Sequence, residues 1–328
     1  MATIQDVARE AEVSVATVSR VLNDSSLVTE KTRTKVTDVI NRLNYNPNLL
    51  GRNLRRSETR IILVLLPNIS NPFFSKIIRG IEDTGHKYGY NIMICNTNSD
   101  VKRELSYIEL LKSRLADGVI IFASELKKEE LVSIVKNYPV VQCCEYMEGL
   151  DVSHVSIDSF KASERVMNHL LSLGHKRIGM ISCNNNYLST KRREDGYKEI
   201  LNDVGIGFKE ELLVYGDYGF RSGMKATEGL MSLKNPPTAI FAISDLMAIG
   251  AIKAIKGKGL AIPSDMAVAG FDNINFSRMY EPELTTISQP QYDLGTTAME
   301  LLLKQIRGDC IHPEDVILEH ELLIRRST

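Results

Sequence analysis

From Ile61 to the carboxyl terminus, short apolar runs alternate with longer amphipathic stretches, and few folds accommodate that alternation. Residues 61–66, 92–95, 119–122 and 140–143 read as strands buried on both faces, because they lack the polar alternation of a strand that faces water. Helices are expected between them at about 73–88, 102–114 and 129–137. A second series follows, with strands at 177–182, 212–215, 239–243 and 267–271 and helices near 159–172, 190–204, 222–232 and 245–256. A last helix at 294–306 and strands near Leu318 and Leu323 return to complete the sheets. Strand, crossover helix and parallel strand in repetition imply an α/β core of two doubly wound parallel-sheet subdomains.

Ligands of open parallel sheets sit beyond the carboxyl ends of the strands, and two such halves facing each other make a cleft there. The polar and aromatic residues just after the strands are therefore the candidates: Asn71, Phe73 and Phe74, then Ser189 and Arg193, Tyr218, Ser244 and Asp245, Asp272, and Gln289. Aromatic faces, an Arg fork, a carboxylate and amides suit a polyhydroxylated ring. The same residues are open to plainer roles. Phe73 and Phe74 open an amphipathic helix and fit a core, Arg193 and Asp272 fit a structural pair across the cleft, Asp245 fits a helix cap, and Glu145 fits a solvated loop.

The first 47 residues have a different pattern. Thr3 fits the cap of a first helix with Ile4, Val7, Ala8 and Ala11 on one side, ending near Glu12. Ser14 fits the cap of a second helix, in which Val15, Val18, Val21 and Leu22 supply an apolar stripe. A third, from Thr29 or Glu30 to Leu43, turns Val36, Val39, Ile40 and Leu43 inward. Two short helices joined by a tight turn and braced by a third form the helix-turn-helix pattern, an all-α head on the α/β core. Its second helix would offer a major groove Arg20, suited to a bidentate contact with guanine, and Val15 and Ala16, suited to a thymine methyl. Thr3, Ser14, Thr17, Ser19 and Asn23 are short hydroxyl or amide residues of the kind that fix phosphates. A protein-interaction module of three helices is the other reading open to the head.

Head and core are joined by residues 44–60. Pro47 biases Asn46 away from helix, and Asn48 can cap a short new one in which Arg52, Arg55, Arg56 and Arg60 outweigh Glu58 while Leu49, Leu50 and Leu54 form an apolar side. With Gly51 inside it, so short a helix is marginal alone in water. Composition by itself also permits a solvated basic tether.

A formal net charge of −1 over 328 residues confines any nucleic-acid surface to a local patch. The five cysteines lack metal-ligand spacing and read as small reduced core residues, so no metal and no cofactor is expected. The amino terminus has no signal-like apolar region, and no apolar run is long enough to span a bilayer, which predicts a cytoplasmic protein without a membrane partner.

Residues 3–8 (Thr-Ile-Gln-Asp-Val-Ala), 13–23 (Val-Ser-Val-Ala-Thr-Val-Ser-Arg-Val-Leu-Asn) and 43–48 (Leu-Asn-Tyr-Asn-Pro-Asn) closely resemble the head of bacterial repressors of the LacI/GalR family. The resemblance implies DNA contacts at Thr3, Ser14, Val15, Ala16, Thr17, Ser19, Arg20, Asn23, Tyr45 and Asn48, and a hinge helix whose Leu54 wedges into the central minor groove of the operator. Gly51, where many members carry Ala, implies a hinge that folds on DNA. The core resembles the family's effector domain and the periplasmic sugar-binding proteins, and Asn71, Phe73, Phe74, Arg193, Tyr218, Asp272 and Gln289 match positions that line a ribose-type pocket. Ser244 stands where ribose binders have Asn, and Cys144 and Glu145 replace an Asp-Arg pair. The run from Cys144 to Gly149 and the tail from Glu321 to Thr328 resemble the cytidine-responsive branch, implying a nucleoside or pentose-like effector in a pocket that includes Glu145, Ser189 and Ser244.

The implied organisation is a DNA-binding domain at 1–47, a hinge at 48–60 and an effector-binding and dimerisation core at 61–328. Within the core the first subdomain takes about 61–157 plus 290–318, and the second about 158–289 plus the last strand. A small head buries too little DNA for good specificity, so a homodimer on a palindromic operator is expected. No phosphate-binding glycine loop or dinucleotide fingerprint follows a strand, and no His lies in a nucleophile arrangement, so the function expected is transcriptional repression and not catalysis. A secreted binding protein does not account for the head. A protein co-regulator in place of the small effector remains an open alternative.

Overall fold

A computed structural model describes residues 2–22, 27–45, 58–310 and 312–328. The chain divides into two units, Met1–Thr59 and Arg60–Thr328. In the first, α1 (Ile4–Glu10), α2 (Val15–Leu22) and α3 (Glu30–Arg42) close on a small core of Val7, Ala8, Ala11, Val18, Val21, Val36 and Val39. Thr3 and Asp6 form a reciprocal capping box that satisfies amides at the start of α1, and the Ser14 hydroxyl accepts from Thr17 N at 3.1 Å to begin α2. Between those helices Glu12 takes a left-handed φ of 51°, which keeps the turn short. The hinge helix expected after Asn48 lies at residues outside those described, with Asn23, Gly51 and Leu54.

The second unit holds two six-stranded sheets. In chain order the elements are β1 (Ile61–Leu66), α4 (Phe73–Lys87), β2 (Asn91–Asn96), α5 (Val101–Lys112), β3 (Gly118–Ile121), α6 (Lys128–Val135), β4 (Val140–Cys143), β5 (His154–Ile157), α7 (Ser159–Ser172), β6 (Ile178–Cys183), α8 (Leu188–Asp203) and β7 (Leu213–Gly216). They continue with α9 (Phe220–Met231), β8 (Ala239–Ala242), α10 (Asp245–Gly257), β9 (Ala267–Asp272), α11 (Phe276–Met279), β10 (Thr285–Ser288), α12 (Gln291–Arg307), β11 (Asp315–Leu318) and β12 (Glu321–Leu323). One sheet has the order β11-β5-β4-β3-β1-β2 and the other β12-β10-β9-β8-β6-β7. Every pairing is parallel except that of β12 with β10. The chain crosses from one sheet to the other three times, after β5, after β10 and between β11 and β12.

Strands β5 and β10 escape the apolar-run reading. Their sequences, His-Val-Ser-Ile and Thr-Thr-Ile-Ser, interleave polar residues, yet both are buried. Threonine resolves the burial cost in β10 by bonding inside the protein, since Thr286 Oγ1 donates to Asp245 Oδ1 at 2.5 Å. In the first subdomain α4 and α12 approach at Gly80 and Gly295. A Cβ on Gly295 would stand 2.0 Å from the Ile77 carbonyl oxygen, and one on Gly80 would stand 2.2 Å from that of Tyr292. Backbone contact between these helices holds α4 against α12 one to two turns beyond Phe73 and Phe74.

Candidate functional sites: an exposed helix face and a cleft

On the head, the stripe of α2 that holds Val18 and Val21 is buried, which leaves Val15, Ala16 and Arg20 exposed on the opposite side. Ser14 is exposed, while Thr17 and Ser19 are half-buried beside that face. Several of the residues named for DNA also have roles within the head, Ser14 and Thr17 through the bonds that begin α2. The Thr3 hydroxyl donates to Asp6 Oδ2 at 2.7 Å and accepts from Asp6 N, and Tyr45 packs on the small core. Asn23, Asn48 and Leu54 fall outside the described residues.

In the core, a cavity of about 950 Å³ opens between the subdomains at the carboxyl ends of the strands. Asn71, Phe73, Phe74, Glu145, Ser189, Arg193, Tyr218, Asp272 and Gln289 all line it. Among the described residues, five of the ten non-glycine residues with left-handed φ also line it, namely Asn98, Ser99, Cys144, Tyr218 and Asp272. Such concentrations of costly backbone mark sites held by their surroundings for a purpose.

The wall from the first subdomain is aromatic. Phe73 meets Phe74 edge to face at 5.3 Å, and Phe74 meets Phe122 at 5.1 Å. Asn71 starts α4 by accepting from Phe73 N at 3.1 Å. The wall from the second subdomain is polar. Arg193, only 6% exposed, lays its guanidinium 3.7 Å from the Phe271 ring centre, and its Nη1 donates to the Ile243 carbonyl at 2.8 Å. Its Nε is buried without a partner. An unpaired donor in such a place costs free energy until an acceptor arrives.

Gln289 Nε2 donates to Asp272 Oδ1 at 2.8 Å, and Gln291 Nε2 donates to the Asp272 carbonyl at 2.6 Å. Burial pushes the Asp272 carboxyl up to about 7, against the pull of the Arg193 charge and the Gln289 bond. Arg193 and Asp272 both belong to the second subdomain, so they form no pair across the cleft. The Tyr218 hydroxyl shares a 2.6 Å hydrogen bond with Thr190 Oγ1, and burial raises its pKa.

Glu145 is not a solvated loop residue. It is half-buried and accepts from the Ser189 amide at 3.2 Å and from the Ser189 hydroxyl, bonds that join the two subdomains. Burial raises its carboxyl, with Ser189 and Arg193 pulling the other way. Further contacts span the cleft: Tyr187 Oη donates to Glu125 Oε1 at 2.7 Å and lies 3.4 Å from Ser99 Oγ, and Arg192 pairs with Glu148 at 2.8 Å. Tyr187 and Glu125 also line the cavity and do not stand out in the sequence. Their signal, a position in a loop after a strand, is shared by too many residues to select them.

Asp245 corrects the helix-cap reading. Ser244 supplies the cap of α10 by accepting from Met247 N at 3.3 Å, and it stands apart from the residues lining the cavity. Asp245 is wholly buried, accepts from Thr286 and from Ile274 N, and so ties α10 to the loop after β9. Burial, with the nearby Asp272 charge, pushes its carboxyl well above the usual range.

Among the described residues no group of His, Cys, Asp and Glu is arranged to hold a metal, and no helix is long and apolar enough to cross a membrane.

Comparison with known proteins agrees with this geometry. Residues 3–48 match the family of bacterial regulatory proteins of the lacI family, and residues 59–326 match the periplasmic binding proteins and sugar binding domain of the LacI family. The chain is 39% identical over 328 residues to the HTH-type transcriptional repressor CytR of Escherichia coli K12, covering 100% of this chain and 96% of that one. Its structure superposes with a TM-score of 0.89 on a lac repressor dimer bound to operator and the anti-inducer ONPF, at 27% identity over 99% of this chain and 98% of that one. A LacI family regulator from Enterococcus faecium with bound ribose matches with a TM-score of 0.74 at 31% identity, over 82% of this chain and 98% of that one. With a helix-turn-helix head and a two-subdomain core both matched, the chain belongs to the lacI family of bacterial regulatory proteins and is a DNA-binding transcriptional regulator.

Proposed function

We propose that this regulator is a homodimeric repressor that holds a palindromic operator through its two heads and responds to a nucleoside or pentose-like effector in the cleft. In this reading residues 1–47 read DNA, 48–60 form the hinge, and 61–328 bind effector and partner, with 61–157 plus 290–318 as one subdomain and 158–289 plus the last strand as the other. Arg20, Val15 and Ala16 take the base edges of the major groove, Ser14, Thr17, Ser19, Thr3, Tyr45, Asn23 and Asn48 the backbone, and Leu54 the central minor groove.

The observation that carries the effector half is the pairing of an aromatic wall, Phe73 and Phe74, with Arg193, Asp272 and Gln289, whose spare donors and acceptors suit vicinal hydroxyls of a sugar ring. Asn71, Tyr218, Ser189 and Glu145 add polar groups around the same space. The Enterococcus faecium regulator, solved with ribose, supports this chemistry, and the operator-bound lac repressor dimer supports the DNA half. Self-association is supported by exposed apolar side chains at Met93 and Ile94 on the edge strand β2 and at Phe276 and Met279 on α11.

A ligand shifts operator affinity only by binding the two states of the core unequally, and the contacts across the cleft are the element that differs between an open and a closed core. Calorimetric titration of the full chain with ribose, other pentoses, nucleosides and hexoses tests the effector class. Binding of a pentose or nucleoside is expected, abolished by Arg193→Ala. Binding of hexoses alone, or of none, contradicts it.

A further inference from the structure

Helices α4, α8 and α9 all begin at the cleft; Asn71 accepts from Phe73 N in the first and Asp217 from Gly219 N in the last, and the anion site at the start of α8 is filled from across the cleft. Helix α8 begins beside the cavity, and its preceding residue, Tyr187, makes no capping bond with its side chain. Free amides and the helix dipole at such an end attract phosphate or carboxylate groups. Here the Glu145 carboxylate, from the other subdomain, takes the Ser189 amide and hydroxyl instead. The rest of the lining has the same sign. Among the described residues, Arg193 is the one cationic side chain on the cavity, against the carboxylates of Glu125, Glu145, Asp217 and Asp272. Arg193 is itself partly engaged, with Nη1 on the Ile243 carbonyl, the plane against Phe271 and the Asp272 charge nearby. Its buried, unpartnered Nε asks for a single acceptor, which a hydroxyl or carbonyl oxygen supplies without bringing a net charge.

We infer that the cleft selects effectors carrying no phosphate or carboxylate, and that Glu145, assisted by Glu125, sets this selection by occupying the anion site at the start of α8 and opposing a second negative charge. The inference rests on the cleft being the effector site and narrows its ligand to unphosphorylated compounds. It also explains the chemistry at Glu145. A like charge beside a carboxylate already held by the helix would have to share Arg193 with Glu145 and Asp272.

Calorimetry on the full chain at mildly alkaline pH, comparing adenosine, cytidine and ribose with adenosine 5′-monophosphate, cytidine 5′-monophosphate and ribose 5-phosphate, tests it. The parent of at least one pair is expected to bind at least about tenfold more tightly than its phosphorylated partner, the scale of one lost charge-compatible contact. In Glu145→Gln that ratio is expected to narrow severalfold. Glu125→Gln, at an exposed position, narrows it in the same direction and stands in should the Glu145 variant fail to fold. A phosphorylated member that binds as tightly as its parent overturns the inference while leaving the effector reading intact. Ratios unchanged in the folded variants overturn the role given to Glu145 and Glu125. If no member of any pair binds, and no other pentose or nucleoside does, the effector reading itself falls and the inference with it.

Discussion

The Tyr187 hydroxyl donates to Glu125 Oε1 at 2.7 Å from the opposite subdomain, so the two halves of the core are bonded to each other at the mouth of the cavity. Glu145 on Ser189, Arg192 on Glu148 and Ser99 on Tyr187 add to this contact across the cleft. Closed and open states then differ by these bonds, and ligand in the closed cleft is retained by them.

Tyr187→Phe removes the bond to Glu125, and the longer contact to Ser99 with it, while keeping the ring. Because Glu125 is exposed, the bond is worth about 0.5–1.5 kcal/mol at most. The variant should release bound effector several times faster, with little change in thermal stability. Stopped-flow dissociation measures this, and an unchanged release rate would show that closure does not depend on Tyr187.

Asp272 gives the core a pH signature. Burial raises its carboxyl from an ordinary 3.8 to about 7, so the folded chain binds this proton more tightly than the unfolded chain does. A raised acid contributes its full share of stability below about pH 4 and loses it as pH climbs toward 7. Asp272→Asn cannot lose that proton. Between pH 5 and pH 8 the variant should therefore gain on the wild type in urea unfolding, by up to about 2–3 kcal/mol at the upper end. A difference that stays constant with pH would place the proton elsewhere.

Thr3 and Arg20 separate folding from reading in the head. Thr3→Ala breaks the capping box at α1 and should cost about 1 kcal/mol of head stability. Arg20→Ala touches no buried contact of α2 and should leave stability unchanged, while costing ~1–3 kcal/mol of discrimination at one base pair. Thermal melts and operator variants in a fluorescence anisotropy assay distinguish the two. Equal losses for Arg20→Ala on every DNA sequence would refute its base contact.

The parallel sheets were legible because burial on both faces leaves a mark in the chain: Ile-Ile-Leu-Val-Leu-Leu in β1 and Ala-Ile-Phe-Ala in β8 have no polar side to hide. Strands β5 and β10 were not, because His154, Thr285 and Thr286 look solvent-facing until their partners, distant in sequence, are known, and Ser156 is buried with no side-chain bond at all to announce it. The same limit hid Asp245. Its place at the start of α10 resembles a cap, and only the fold brings Thr286 and Ile274 to it. Arg193 and Asp272 could be chosen from their positions after strands, but that they share one subdomain follows from the sheet order. Glu145 was harder still, since its partner Ser189 lies across a cleft that no local pattern describes.

Operator affinity with and without effector tests the coupling most directly. Anisotropy titration of a palindromic duplex with the full chain, at zero and at saturating nucleoside or pentose, should show two chains per duplex and an affinity shifted by at least about fivefold, the low end of allosteric coupling. An identical affinity at saturating effector would mean that cleft occupancy and DNA binding are uncoupled in this protein.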